Sequence, residues 1–348
     1  MTVTPIHIQL NNLTPSVTEK WSTFVNKHPN NTLFQSPAWF QFYQSVENYE
    51  PFVFIAYHED NIVAVMLAVL IRESKGLMGY FSSRAIVYGG PLIAEDYPNK
   101  KQLLDQLLSK LVETISSKTI FIQFRNFFEW SKEEKDIFDR HGFVFRERIN
   151  LLVDTSDEKK MLAGISKSKQ RQIKTGFKNG TQVRSPESLE EVRIFFKLLV
   201  DLYKNKVRKP LPNWSFFEQF YQRSLLNELG IIRLVVLKNK IIGGVLAAVT
   251  PGRNIYELYI VGLDQQYKKN YPSIIATWTL MEYALQNNLQ HFDFMGLGKP
   301  DEPYQVREFK TKFGKNIVNY GRFGRKSNSL LYLVAELGYN FLRALKKV

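Results

Sequence analysis

Two separate stretches of this chain read almost alike, and that repetition limits the folds available to it. Asn61 to Leu70 reads N-I-V-A-V-M-L-A-V-L, and Lys240 to Val249 reads K-I-I-G-G-V-L-A-A-V. Each follows a strand-like run, Phe52 to Tyr57 and Ile231 to Leu237, across a short polar turn, His58-Glu59-Asp60 and Lys238-Asn239. An apolar strand, a tight polar turn and a second apolar strand make a hairpin. Further strand material follows in each half, then a helix of apolar period. The first helix is Lys101 to Ser116, with leucines at 103, 104, 107, 108 and 111; the second is Pro272 to Gln286, with Ile274, Ile275, Trp278, Met281 and Leu285 on one face. A last strand closes each unit, Ile120 to Phe124 and Phe292 to Met295. Two copies in the same order predict a tandem α/β fold of mixed sheets.

Other helices are expected at Ser16 to Asn26, Pro37 to Ser45, Ser131 to His141, Asp157 to Ile165, Ser168 to Gly176, Pro186 to Lys204 and Trp214 to Glu228. The segment Ser329 to Lys347 carries Leu330, Val334, Leu337, Phe341, Leu342 and Leu345 on one face, as a terminal helix that docks on its own domain or on a membrane surface. The organisation expected is residues 1–154, residues 155–326 and a C-terminal helix, 327–348, packed back on the first domain. No Gly/Ser linker separates the halves, so tight packing between them is expected.

The 348 residues suffice for two cores. Cysteine is absent, which removes disulfides, thiolate zinc sites and cysteine nucleophiles. The N-terminus reads as no signal peptide, and the longest apolar run, Ile62 to Ile71, falls short of the roughly 20 residues of a membrane span. A cytoplasmic protein is expected. The five histidines show no metal-ligand spacing, so no metal is expected. Net charge is +14, from 47 basic and 33 acidic residues. The excess falls in three clusters: Lys159 to Lys178; Lys204 to Lys209; and Arg307, Lys310, Lys312, Lys315, Arg322, Arg325 and Lys326. Such clusters point to a phosphate-rich ligand or an anionic surface.

Between Phe292 and Gly314 the chain reads F-D-F-M-G-L-G-K-P-D-E-P-Y-Q-V-R-E-F-K-T-K-F-G. A strand delivers Asp293 to a glycine-opened turn at Gly296, where backbone can approach a ligand closely. Lys310 then arrives between Phe309 and Phe313. The D-F-x-G turn and the F-K-x-x-F-G segment resemble those of the Fem family of peptidoglycan-bridge aminoacyltransferases. Phe34-Gln35-Ser36-Pro37-Ala38-Trp39 is similar to that family's Q-S-x-x-W signature, and Tyr88-Gly89-Gly90-Pro91-Leu92 to its G-G-P turn. Asn150 to Asp154 and the basic helix after Ile165 resemble the opening of its second domain. No heptad pattern marks the long coiled-coil arm of some members. Phe40, Phe42 and Tyr43 stand where some members place an acceptor-binding lysine.

The resemblance implies two tandem GNAT-like domains, an aminoacyl-tRNA donor, a peptidoglycan-precursor acceptor and no cofactor. It assigns Lys310 to the donor end or to the charge at the reacting ester. It assigns Arg208 to an acceptor phosphate, a task suited to a guanidinium. Asp293 either accepts the proton of the attacking amine or caps the glycine turn. Tyr256 and Tyr259, in I-Y-E-L-Y-I-V-G, and Tyr304, in the polar loop, are ligand-contact candidates. Strand alternation places Tyr256 and Tyr259 on opposite faces, with one toward the core. Two alternatives stay open. One is an acyl-CoA-dependent N-acyltransferase, although the loop Asp264 to Ser273 lacks the glycines that let backbone N–H groups cradle a pyrophosphate. The other is a degenerate protein that only binds RNA or anionic surfaces.

Overall fold

The structure, a computed structural model, describes residues 7–73, 76–207, 209–302, 305–329 and 331–333. The expected C-terminal helix lies largely outside them. The chain divides into two compact units, Met1–Glu147 with Tyr320–Val348, and Arg148–Asn319.

In the first unit β1 (His7–Leu10), α1 (Pro15–Lys27) and α2 (Pro37–Ser45) precede the hairpin β2 (Tyr49–His58) and β3 (Asn61–Ile71). Then come α3 (Gly76–Phe81), β4 (Arg84–Tyr88), β5 (Leu92–Ile93), α4 (Lys100–Ile115), β6 (Phe121–Arg125), α5 (Lys132–Arg140) and β7 (Val144–Arg146). The sheet order is β1-β2-β3-β4-β6-β15-β7, where β15 is Arg322–Lys326 and β5 pairs off β3. β4 and β6 run parallel, with α4 as their crossover, and pair over five residues, Arg84 to Tyr88 against Phe121 to Arg125. The five leucines of α4 are fully buried against Phe54, Met66, Phe124 and their neighbours.

The Q-S-P-A-W and G-G-P motifs form one structural joint in this unit. The buried Gln35 amide donates to the carbonyls of Leu67 (3.2 Å) and Tyr88 (2.8 Å), and its oxygen accepts from Leu67 N–H (2.7 Å). Gln35 thereby joins β3 to the end of β4. A Cβ on Gly90 would lie 2.6 Å from that amide, so glycine is required there. Phe40, Phe42 and Tyr43 are buried core residues.

The second unit holds β8 (Asn150–Asp154), α6 (Glu158–Gly164), α7 (Lys167–Lys178), β9 (Gln182–Arg184), α8 (Leu189–Leu202) and α9 (Trp214–Ser224). These are followed by β10 (Gly230–Leu237), β11 (Lys240–Thr250), β12 (Asn254–Gly262), α10 (Pro272–Gln286), β13 (His291–Asp293), α11 (Gln305–Lys310) and β14 (Ile317–Val318). Its sheet order is β14-β8-β13-β12-β11-β10-β9. The duplication is explicit in these orders: β1-β2-β3-β4-β6-β15-β7 maps strand by strand onto β9-β10-β11-β12-β13-β8-β14. Among the described residues each sheet contains one parallel pair, spanned by one long helix.

The expected boundaries at Asp154 and Lys326 are displaced by this pattern. β8 is a strand of the second sheet, and β15 completes the first. The division falls at Glu147/Arg148 and Asn319/Tyr320 instead. The reason is topological: β15 joins strands distant from it in sequence, while β8, whose motif resembles the opening of a second domain, does lie in the second sheet. β15 contributes Phe323, which stacks on Phe138 at 3.9 Å between centroids and 4° between planes. Truncating such a buried ring leaves a cavity. Phe323→Ala is therefore expected to cost about 3–5 kcal/mol in urea unfolding; a loss below about 1 kcal/mol would contradict the place given to β15.

Candidate functional site

The parallel strands of the second unit part early, and that opening positions the site. β12 and β13 pair only over Asn254 to Tyr256 against His291 to Asp293. Beyond that point β12 runs on to Gly262 while β13 stops. The corresponding pair in the first unit, β4 and β6, stays paired throughout its length. At the fork the second sheet buries two acids, Asp293 at the end of β13 and Glu257 on β12, and the part-buried Lys310 at the end of α11 reaches Glu257.

Lys310 is held from three directions. Its ammonium lies 3.2 Å from Glu257 Oε1 and donates to the carbonyls of Phe294 (2.7 Å) and Gly296 (3.4 Å). Its side chain is 13% exposed, against 3% for Glu257. Lys310 is thus mostly enclosed, and its ammonium ties the end of α11 to the D-F-M-G turn. Among the described residues the buried Glu257 Oε2 has no hydrogen-bond partner. Burial pushes the Glu257 carboxyl up, and the Lys310 charge pulls it back. Glu257 escaped the sequence reading; its signal was a single acid inside an otherwise apolar and aromatic strand.

Asp293 does cap the turn. Its Oδ1 accepts from Asn150 Nδ2 (2.7 Å) and from Met295 N–H (2.5 Å). Met295 takes φ +57 and Gly296 φ +132, conformations in which only the glycine is at ease. Burial raises the Asp293 carboxyl to about 6, against the two hydrogen bonds and Lys310, which lower it.

The phenyl rings of the F-K-x-x-F-G segment do not enclose Lys310, as the sequence suggested. Phe309 and Phe313 are four residues apart and share a face of a helical turn, whereas Lys310 is rotated away from it. It is Lys169 that lies over Phe309 (4.5 Å) and Phe313 (5.6 Å). Lys310 lies over Phe294 instead, at 5.2 Å. Burial, with the charge of Lys312, lowers Lys169 to about 8. Arg307, counted above with the basic clusters, is spent internally: it donates to the carbonyls of Leu297, Lys299, Pro300 and Glu302 and holds the loop after Gly296.

Tyr256 and Tyr259 share a face, contrary to strict alternation. Tyr256 pairs with Ala248 and Tyr259 with Leu246, because a bulge between Leu246 and Ala247 resets the register. Tyr256 is buried, and Tyr259 packs on Phe216 and Phe217. Arg208 and Tyr304 lie outside the described residues.

The N-terminus of α10 is taken by a carboxylate of the chain itself. Asp264 accepts from Ser273 N–H (3.2 Å) and from the Ser273 hydroxyl. A helix N-terminus attracts anions, and this one already holds one. Among the described residues no group of three or more His, Asp or Glu is placed to hold a metal ion, and no helix is long and apolar enough to cross a membrane.

Comparison with known proteins agrees with this architecture. Residues 166–306 match the family model described as an acetyltransferase (GNAT) domain. The chain is 22% identical over 325 residues to a UDP-N-acetylmuramoylpentapeptide-lysine N(6)-alanyltransferase of Weissella viridescens, covering 87% of this chain and 90% of that protein. The crystal structure of FemX superposes with a TM-score of 0.70 at 16% identity, over 94% of this chain and 99% of that one. L-PGS from Bacillus licheniformis gives 0.55 at 13% identity, over 94% and 96%. A tandem GNAT protein from the clavulanic acid biosynthesis pathway gives 0.57 at 7%, over 93% and 99%. Residues 166–306 thus resemble an acetyltransferase (GNAT) domain, and the whole chain shares the tandem fold of these structures.

The buried carboxyl of Asp293 makes a prediction about stability. Its folded value of about 6 lies above its ordinary 3.8, so the folded protein holds that proton more tightly. This contribution is fully present below the ordinary value and is lost as pH rises through about 6. Asp293→Asn keeps an acceptor at Oδ1 and removes the buried charge. It is expected to stabilise the protein at neutral pH by about 1–3 kcal/mol, and to give no gain near pH 4. A lower Tm at neutral pH would contradict it.

Proposed function

We propose that this chain transfers an amino acid from the ester of an aminoacyl-tRNA to an amine on the stem peptide of a peptidoglycan precursor. The observation that carries the reading is the set of Asp293, Glu257 and Lys310 where β12 and β13 part. Ester aminolysis needs a neutral amine, a proton acceptor and compensation for the charge that develops on the carbonyl oxygen. A carboxyl near 6 is ionised at neutral pH and accepts the amine proton as the C–N bond forms. The Lys310 ammonium, rigidly oriented, offsets the oxyanion. The ester C–O bond then breaks, and the proton passes to the leaving ribose oxygen, which leaves an amide and a free hydroxyl. Much of the barrier falls to positioning, which a packed fork of strands supplies.

The precursor acceptor is supported by the alanyltransferase relative and by the shared fold along nearly the whole chain. The tRNA donor is supported by the basic surface of the second unit and by the state of α10. A pyrophosphate approaching that helix meets the Asp264 carboxylate, which disfavours acyl-CoA as donor. Titration with CoA is expected to show no saturable binding.

The test is transfer of a radiolabelled amino acid from charged tRNA to a stem-peptide acceptor. Lys310→Ala is expected to slow it by about 10²–10³; transfer as fast as wild type would remove Lys310 from the reaction. The rate should fall as pH drops through about 6, where Asp293 takes up its proton, and level off above. A profile flat from pH 5 to pH 8, roughly the range that brackets this titration, would contradict the role of Asp293.

A further inference from the structure

The basic clusters of the second unit differ in how their charge is used. Arg307 and Lys310 are consumed by internal carbonyls and by Glu257. The helix α7, K-S-K-Q-R-Q-I-K-T-G-F-K, contains no acid. Its Lys167, Arg171, Lys174 and Lys178 are exposed, and among the described residues none of them forms an ion pair. Positions i, i+4, i+7 and i+11 fall on one stripe, about one cation per 5.4 Å turn. With Gln170 and Thr175 they line a shallow groove of about 310 Å³. Phe177, an exposed aromatic, stands on the same helix. Like charges at this spacing repel one another, and nothing on the helix offsets them.

We infer that the α7 stripe is a binding site for the phosphodiester backbone of RNA, and that it seats the stem of the donor. A row of cations beside an exposed phenyl ring suits a phosphate backbone with a base to stack. A lipid surface suits it poorly. The inner face of α7, with Ile173 and Gly176, is buried toward α10, and Gly176 is so close that an added Cβ would meet Asn270 O at 2.7 Å. No apolar face is left to enter a bilayer. This inference rests on the RNA-linked donor proposed above and adds the place where that donor is held.

The test uses the full chain and a fluorescent RNA hairpin with a tRNA acceptor stem, followed by anisotropy at roughly 50 to 200 mM salt. Replacing Lys167, Arg171, Lys174 and Lys178 with glutamine is expected to weaken binding by tenfold or more. It should also flatten the slope of log K against log salt by about 0.7–0.9 for each cation removed, near 3 in total. The single variant Lys174→Gln, expected to flatten it by just under one, serves if the fourfold variant fails to fold. Unchanged affinity and slope would overturn the site. So would a wild-type protein that ignores the hairpin and binds anionic phosphatidylglycerol vesicles. Transfer assays separate the two levels. If wild type transfers from tRNA and the variants keep its KM, the α7 site falls and the reaction stands. If wild type binds RNA through α7 yet transfers nothing, the reaction falls and the site stands.

Discussion

The arrangement of the second unit depends on one buried ion pair. Glu257 would be an isolated acid in the interior without Lys310, and an isolated buried charge costs several kcal/mol. Lys310 reaches it from the end of α11, the helix whose Arg307 also holds the preceding loop by its carbonyls. The same ammonium binds the carbonyls of Phe294 and Gly296. One cation thus fixes the end of a strand, the strained turn at Met295 and the neighbouring strand. Such pairs are weak sources of stability; what this one supplies is geometry, since it joins three segments. Under the proposed transfer, which holds an ester and an amine in register, the second matters more than the first.

The two units share a strand order but not a site, and the difference is local. β4 and β6 stay paired for five residues, and Gln35 closes the adjoining seam between β3 and β4. β12 and β13 release each other after three residues and place charged groups at the opening. A duplicated fold can keep one copy as scaffold while the other does chemistry, provided that the strands of one copy stay closed.

Much of this was legible in the sequence. The two hairpins, the leucines of α4 and the length of α10 follow from apolar periodicity, a signal written in neighbouring residues. Asp293 and Lys310 stood out through their motifs. What could not be read depends on contacts between distant segments. β15 completes the first sheet far from its sequence neighbours. The bulge opposite Leu246 and Ala247, which brings Tyr256 and Tyr259 to one face, leaves no compositional trace. Lys169 looked like one more member of a basic run, yet helical period turns it inward onto Phe309 and Phe313. Arg307 was counted with free charge, although four carbonyls claim it.

The most direct test is a double-mutant cycle on the transfer rate, with Glu257→Gln, Lys310→Met and the two combined. Residues that act as one unit lose their effect together. The account predicts that the double variant is no slower than the slower single one. Losses that multiply, each substitution slowing transfer as though the other were absent, would contradict the claim that this buried pair works as a single device.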